Sequence, residues 1–144
     1  MITSTNNSRI KEARKLQRRR TRHEQGLLLL EGVRLVRDAL QAGSRPVAAF
    51  YAPDLIGHNP AAQALVDTLA RQGVEPLACT PAVFATLVET VTPQGIAVVA
   101  PLPVLALPSA LRFSLVLDGV RDPGNAGTLL RSAEAAGVDC VIFA

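Results

Sequence analysis

Apolar and polar positions in this chain follow two different periods, and the switches between them mark its elements. "SRIKEARKLQRRR" is polar and basic, yet Ile10, Ala13 and Leu16 recur three apart, giving one narrow apolar stripe on a predicted helix. Asn6, Asn7 and Ser8 are its N-cap candidates. "GLLLLEG" is a short apolar run between Gly26 and Gly32 and reads as a buried strand. Val33, Val36, Ala39 and Leu40 then share a helical face that ends at Gly43. Pro46–Ala52 predicts the next strand. Asn59-Pro60 pairs an N-cap with a proline at the first helical position, opening a helix that stops at Gly73. Val74–Cys79 predicts a strand in which Pro76 favours a sheet edge. Thr80-Pro81 repeats the helix-start signal before "AVFATLVETV", and Gly95–Ala100 is a further strand.

The resulting order, α-β-α-β-α-β-α-β, predicts an α/β sandwich with a largely parallel sheet over residues 1–100. "PLPVLALPSAL" breaks the pattern with Pro101, Pro103 and Pro108, and residues 101–112 read as a semi-extended linker between domains. Residues 113–144 resume with a strand (Phe113–Asp118), a turn, a helix running to Gly137 and a second strand, "DCVIFA". This is one βαβ unit, expected to be right-handed. It falls below the ~40 residues at which single cores usually hold. Val141, Ile142 and Phe143 need sheet neighbours and covering helices, so the expectation is that the chain is a truncated piece of a longer α/β protein. There is no internal repeat or low-complexity tract.

Composition narrows the function classes. Apolar residues make up 49%, enough for a packed core and against disorder. No apolar run approaches the ~20 residues of a membrane span, and the basic N-terminus lacks the apolar stretch of a secretory signal. Cys79 and Cys140, without metal-type spacing, read as small buried hydrophobes in a reducing compartment. A cytoplasmic location with no membrane partner is expected. The net charge is only +3, but residues 9–22 hold eight cations (Arg9, Lys11, Arg14, Lys15, Arg18, Arg19, Arg20 and Arg22) against one acid, Glu12. The other residues carry 7 basic and 11 acidic groups. Arginine forks match phosphate geometry, and clustered like charge attracts polyanions. The segment is therefore a candidate RNA contact, acting mainly through phosphates. With one Tyr and four Phe in the chain, base stacking is expected to be minor.

"DGVRDPGNAGTLLR" concentrates the candidate chemistry. It carries the chain from the C-terminal end of a strand into a helix N-terminus, where open α/β sheets bind ligands. Gly124 and Gly127 allow close approach of the backbone, Asn125 is a candidate helix cap, and free N–H groups there can receive an anion. Arg131 lies about a turn and a half into the helix. The glycine spacing matches neither GxGxxG nor a Walker sequence, which disfavours dinucleotide and nucleoside-triphosphate binding.

Asp122-Pro123-Gly124-Asn125-Ala126-Gly127, with Arg131, Ala133, Ala136 and Gly137, resembles the first signature motif of the SpoU/TrmH ribose 2′-O-methyltransferases of the SPOUT superfamily. Upstream, "SRIKEARKLQRRRTRHEQGLLLLEG" and "TPQGIAVVA" resemble the start and end of that family's L30e-like RNA-binding domain. The resemblance implies an L30e-like domain over residues 1–100 and the start of a trefoil-knotted catalytic domain over 113–144. It also implies methyl transfer from S-adenosylmethionine to a ribose 2′-hydroxyl of RNA, of the 23S rRNA type, by a homodimer. Asn125 and Arg131 become the catalytic, RNA-contacting pair. A guanidinium keeps its charge in ordinary sites, so the role expected of Arg131 is to grip phosphate and stabilise developing alkoxide charge. Action as a base would need burial beside other cations. The family's two later motifs, an Asn-Glu-Gly loop and a Ser-Leu-Asn-Val-Ser run, are absent, and they build the cofactor pocket. This chain alone is therefore expected neither to bind S-adenosylmethionine well nor to turn over.

Two other readings share the same residues. One is a non-catalytic L30e-like RNA-binding module. The other is a nucleotide-binding α/β protein using the "DPGNAG" loop for phosphate. Asp118 and Asp122 are expected to set turn geometry by accepting local N–H groups. Thr128 and Ser132 are good local hydrogen-bonders and poor nucleophiles without a base. His23 and His58 lack metal-ligand company and receive no role; no metal site is expected.

Overall fold

The structure is a computed structural model and describes residues 1–57 and 59–144; His58 lies outside them. The chain divides into two compact units, Met1–Pro103 and Val104–Ala144.

The first unit runs α1 (Ser8–Lys15), α2 (Arg19–Gln25), β1 (Leu27–Glu31), α3 (Val33–Gln41), β2 (Ala48–Tyr51), α4 (Pro53–Ile56), α5 (Pro60–Arg71), β3 (Pro76–Ala78), α6 (Pro81–Ala85) and β4 (Ile96–Pro101). Its four strands lie in the order β1-β4-β2-β3. β4 pairs antiparallel with both β1 and β2, and only β2 and β3 run parallel. The expected largely parallel sheet is therefore corrected to a mixed one. Alternation of elements fixes their order along the chain but not which strands become neighbours, and β4 enters between β1 and β2 against the direction of both.

That insertion also decides which strand is central. β4 has five buried residues, Ile96 to Ala100, whereas all five of β1 are only half-buried at the sheet edge. The leucine run is thus an edge strand, not the buried one its composition suggested. β3, with Pro76, forms the opposite edge as predicted, where a missing N–H does least harm. Pro101 closes β4 rather than opening a linker, paired with Leu27.

Successive strand residues face opposite sides, and helices cover both. On one side Ile10, Ala13 and Leu16 of the α1 stripe pack with Val83, Phe84 and Leu87 against Phe50, Ala97 and Val99. On the other, Val36 of α3 and Ala62, Leu65 and Leu69 of α5 pack against Ala49, Ile96 and Val98. This is the expected sandwich. Asn7 caps α1 through Arg9 N, and Asn59 caps α5 through Ala61 N and Ala62 N. Thr80 takes the N-cap position of α6 without a side-chain bond. Gly95 has φ +78°, and a Cβ there would stand 2.8 Å from Leu55 Cβ and 2.9 Å from Ile56 N.

The second unit is β5 (Ser114–Leu117), α7 (Pro123–Ala135) and β6 (Cys140–Phe143), with β5 and β6 parallel. This is the predicted βαβ arrangement. Asp139 fastens it: its Oδ2 accepts from Arg112 N at 2.9 Å and Phe113 N at 3.0 Å, tying the turn before β6 to the start of β5. Those two bonds hold its carboxyl below the usual aspartate range. Val116, Ile142 and Phe143 are about half exposed. Cys140 is half-buried, less enclosed than expected, while Cys79 is fully buried in the first unit and its thiol is pushed up to about 11 by desolvation.

Candidate functional site

The basic segment forms two helices rather than one. Leu16, Gln17 and Arg18 make tightened bonds to the carbonyls three residues back, which closes α1 and redirects the chain into α2. Two side chains fix the break. Gln17 Nε2 donates to the Thr86 and Leu87 carbonyls, both at 3.2 Å, pinning it to the segment after α6. Arg22 Nη1 donates to the Leu16 and Gln17 carbonyls at 3.0 and 2.9 Å, satisfying carbonyls left open where α1 ends. Neither glutamine nor Arg22 carries a sequence signal for this duty, because the partners are set by the fold.

The eight cations therefore separate by what they touch. Arg22 is half-buried and structural. Arg9 lies 3.9 Å from Glu75, Lys15 is 2.7 Å from Glu12 and Arg20 is 2.6 Å from Glu24. Such exposed pairs are weak, roughly 0–1 kcal/mol, and yield readily to a polyanion. Lys11, Arg14, Arg18 and Arg19 are exposed and, among the described residues, make no ion pair or side-chain hydrogen bond. They are the uncommitted charge of this surface.

In the second unit the turn Asp118–Asp122 leads into α7. Asp122, not Asn125, caps the helix: Asp122 Oδ1 accepts from Asn125 N at 2.7 Å. The three-residue offset of an N-cap carboxylate decides this, and it leaves the Asn125 side chain free of capping. Pro123 takes the first helical position, where its missing N–H is of no consequence. Gly124 and Gly127 lie in the first turns of α7 and have helical φ, so close approach rather than left-handed backbone is what they permit. A Cβ on Gly127 would lie 3.5 Å from Arg131 Nη1. Arg131 is exposed, and its Nη2 donates to Thr128 Oγ1 at 3.1 Å. Asn125 and Arg131 thus belong to one helix, Asn125 in its first turn and Arg131 past its midpoint with its guanidinium beside Gly127 and Thr128. Arg131 is exposed, whereas base chemistry would need its burial beside other cations.

Asp118, Gly119 and Ala144, at the C-terminal ends of β5 and β6, are exposed. Among the described residues no cluster of His, Cys, Asp or Glu is placed to hold a metal ion, and no helix is long and apolar enough to cross a membrane.

Residues 7–98 match the model of the MRM3-like substrate binding domain. The chain is 33% identical over 142 residues to the Bacillus subtilis 23S rRNA (guanosine(2553)-2′-O)-methyltransferase RlmP, covering 99% of this chain and 53% of that protein. It is 37% identical over 131 residues to human mitochondrial rRNA methyltransferase 3, covering 85% of this chain and 30% of that one. Among solved structures, an RNA 2′-O ribose methyltransferase superposes with a TM-score of 0.77 at 37% identity, over 99% of this chain and 55% of its own. The SpoU methyltransferase AviRb from Streptomyces viridochromogenes, in complex with the cofactor AdoMet, superposes with a TM-score of 0.76 at 26% identity, over 96% of this chain and 53% of its own. This chain spans about half the length of RlmP and of these solved structures. An MRM3-like substrate-binding domain over residues 7–98 and the likeness to SpoU enzymes across both units together establish that the chain belongs to the SpoU/TrmH family of RNA methyltransferases.

Proposed function

We propose that this chain is the RNA-recognition part and first catalytic motif of an S-adenosylmethionine-dependent ribose 2′-O-methyltransferase acting on rRNA of the 23S type. The observation that carries the reading is the set of uncommitted cations, Lys11, Arg14, Arg18 and Arg19, on a domain of the substrate-binding class. Their forks and ammonium groups meet phosphates, which gives affinity and register while base choice lies elsewhere. When bound, S-adenosylmethionine would supply the methyl group that is transferred to the ribose 2′-oxygen. Arg131 supports this step by its fixed positive charge, which favours the oxygen as negative charge develops on it. Asn125, with its side chain free of capping, is positioned to hydrogen-bond the ribose or its phosphate.

The working enzyme is proposed to be a homodimer, and this chain alone to bind S-adenosylmethionine poorly and to be inactive. The test is equilibrium binding of a 23S rRNA fragment to the chain across a salt series, together with a methyl-transfer assay. Tight binding that weakens steeply with salt, without turnover by the chain alone, is the expected result. Turnover by this chain, or binding indifferent to salt, overturns the reading.

A further inference from the structure

Thr128 stands between the turn and Arg131. Its hydroxyl donates to the Gly124 carbonyl at 2.9 Å and accepts from Arg131 Nη2 at 3.1 Å. A threonine hydroxyl has one proton and two lone pairs. With the proton committed to Gly124, the side facing Arg131 can only accept. A guanidinium can only donate, so the pairing has one sense.

The neighbouring position acts with it. Gly127 has no side chain, and a Cβ there would be 3.5 Å from Arg131 Nη1, so the guanidinium lies alongside bare backbone. Long helical side chains lean toward the helix N-terminus, and residues three apart meet on one face. Arg131 is thereby drawn back along α7 toward the turn that Asp122 caps. One of its N–H groups is engaged and the others remain for a ligand.

We propose that Thr128 is a positioning residue that holds the Arg131 guanidinium beside Gly127, one turn back along α7, ready for the ribose-phosphate group of the RNA. The proposal rests on the catalytic reading of Arg131. Left untethered, a long arginine side chain samples many rotamers, and fixing it beforehand removes that entropy from the binding step. Thr128 touches neither RNA nor the reacting atoms in this role and acts through Arg131 alone.

The test compares T128V, T128S and R131A, singly and with T128V and R131A combined. The ¹⁵N–¹H signals of the Arg131 guanidinium are read in this chain, and kcat and KM in the methyltransferase proposed above. T128V should shift and sharpen the Arg131 signals toward free rotation and lower kcat about tenfold, as for loss of a hydrogen bond to a charged group. T128S should restore both. In the R131A background T128V should cost nothing further. Unchanged Arg131 signals in T128V, or the same fold-loss with and without Arg131, overturns the positioning role. Full turnover by R131A instead sinks the catalytic reading of Arg131, and the guanidinium signals then judge the tether on their own.

Discussion

Arg22 Nη1 lies 2.9 Å from the carbonyl oxygen of Gln17, and the same nitrogen reaches the Leu16 carbonyl. One cation of a basic cluster thus closes the end of α1 instead of facing a partner. Arg22→Ala should destabilise the first unit by about 1.5–3 kcal/mol, the range for hydrogen bonds that involve a charged group. Urea unfolding followed by circular dichroism measures it. Arg18→Ala and Arg19→Ala should leave the midpoint within about 0.5 kcal/mol of wild type.

RNA binding should sort the cations in the opposite order. Alanine at Lys11, Arg14, Arg18 or Arg19 should each weaken binding and reduce the slope of log K against log salt by roughly 0.7–0.9. Fluorescence anisotropy with an rRNA fragment reads both quantities. If the four variants keep the wild-type slope, this surface is a solvated face and RNA is held elsewhere.

Gly95→Ala should cost about 2–4 kcal/mol, combining the strain of positive φ with a clash against the backbone at Ile56. The Leu55 and Ile56 atoms concerned belong to the α4 turn, so relief requires moving main chain. Differential scanning calorimetry should show a lower Tm, and Gly95→Val should be worse.

Asp139 provides a pH signature. Its folded carboxyl titrates below the unfolded value because Arg112 N and Phe113 N bond the charged form. Its stabilising contribution is therefore complete above the ordinary aspartate pKa of about 3.9 and is lost as pH falls through the lower folded value. Asp139→Ala should remove that part of the acid transition in the second unit, seen as altered amide exchange in β5 and β6. An acid limb identical to wild type would show that the two bonds contribute nothing.

The cysteines should differ toward a thiol reagent at pH 8. Cys140, half-buried, should react in the folded chain. Cys79, enclosed and with its thiol pushed up to about 11, should react only after unfolding. Counting modified thiols by mass spectrometry before and after denaturation checks this.

The motif around Asn125 and Arg131, the helix starts at Asn7 and Asn59, and the apolar stripe of Ile10, Ala13 and Leu16 were all legible in the sequence. Each depends on residues within about one helical turn, where spacing alone determines geometry. The sandwich was legible too, because alternating apolar segments can bury their faces in few ways. Only the tertiary structure decided that β4 and not the leucine run is central, that the sheet is mixed, and that Gln17 and Arg22 break the basic segment into two helices. It also separated the structural cation from the uncommitted ones and gave the cap to Asp122. The physical reason is common to all of these except the cap and Arg22, whose partners are five and six residues away: the deciding contacts join distant segments, such as Gln17 with Leu87 and Leu28 with Ala100, and no local period encodes them. The cap was a local choice between two good acceptors, and the path of the chain into α7 settled it.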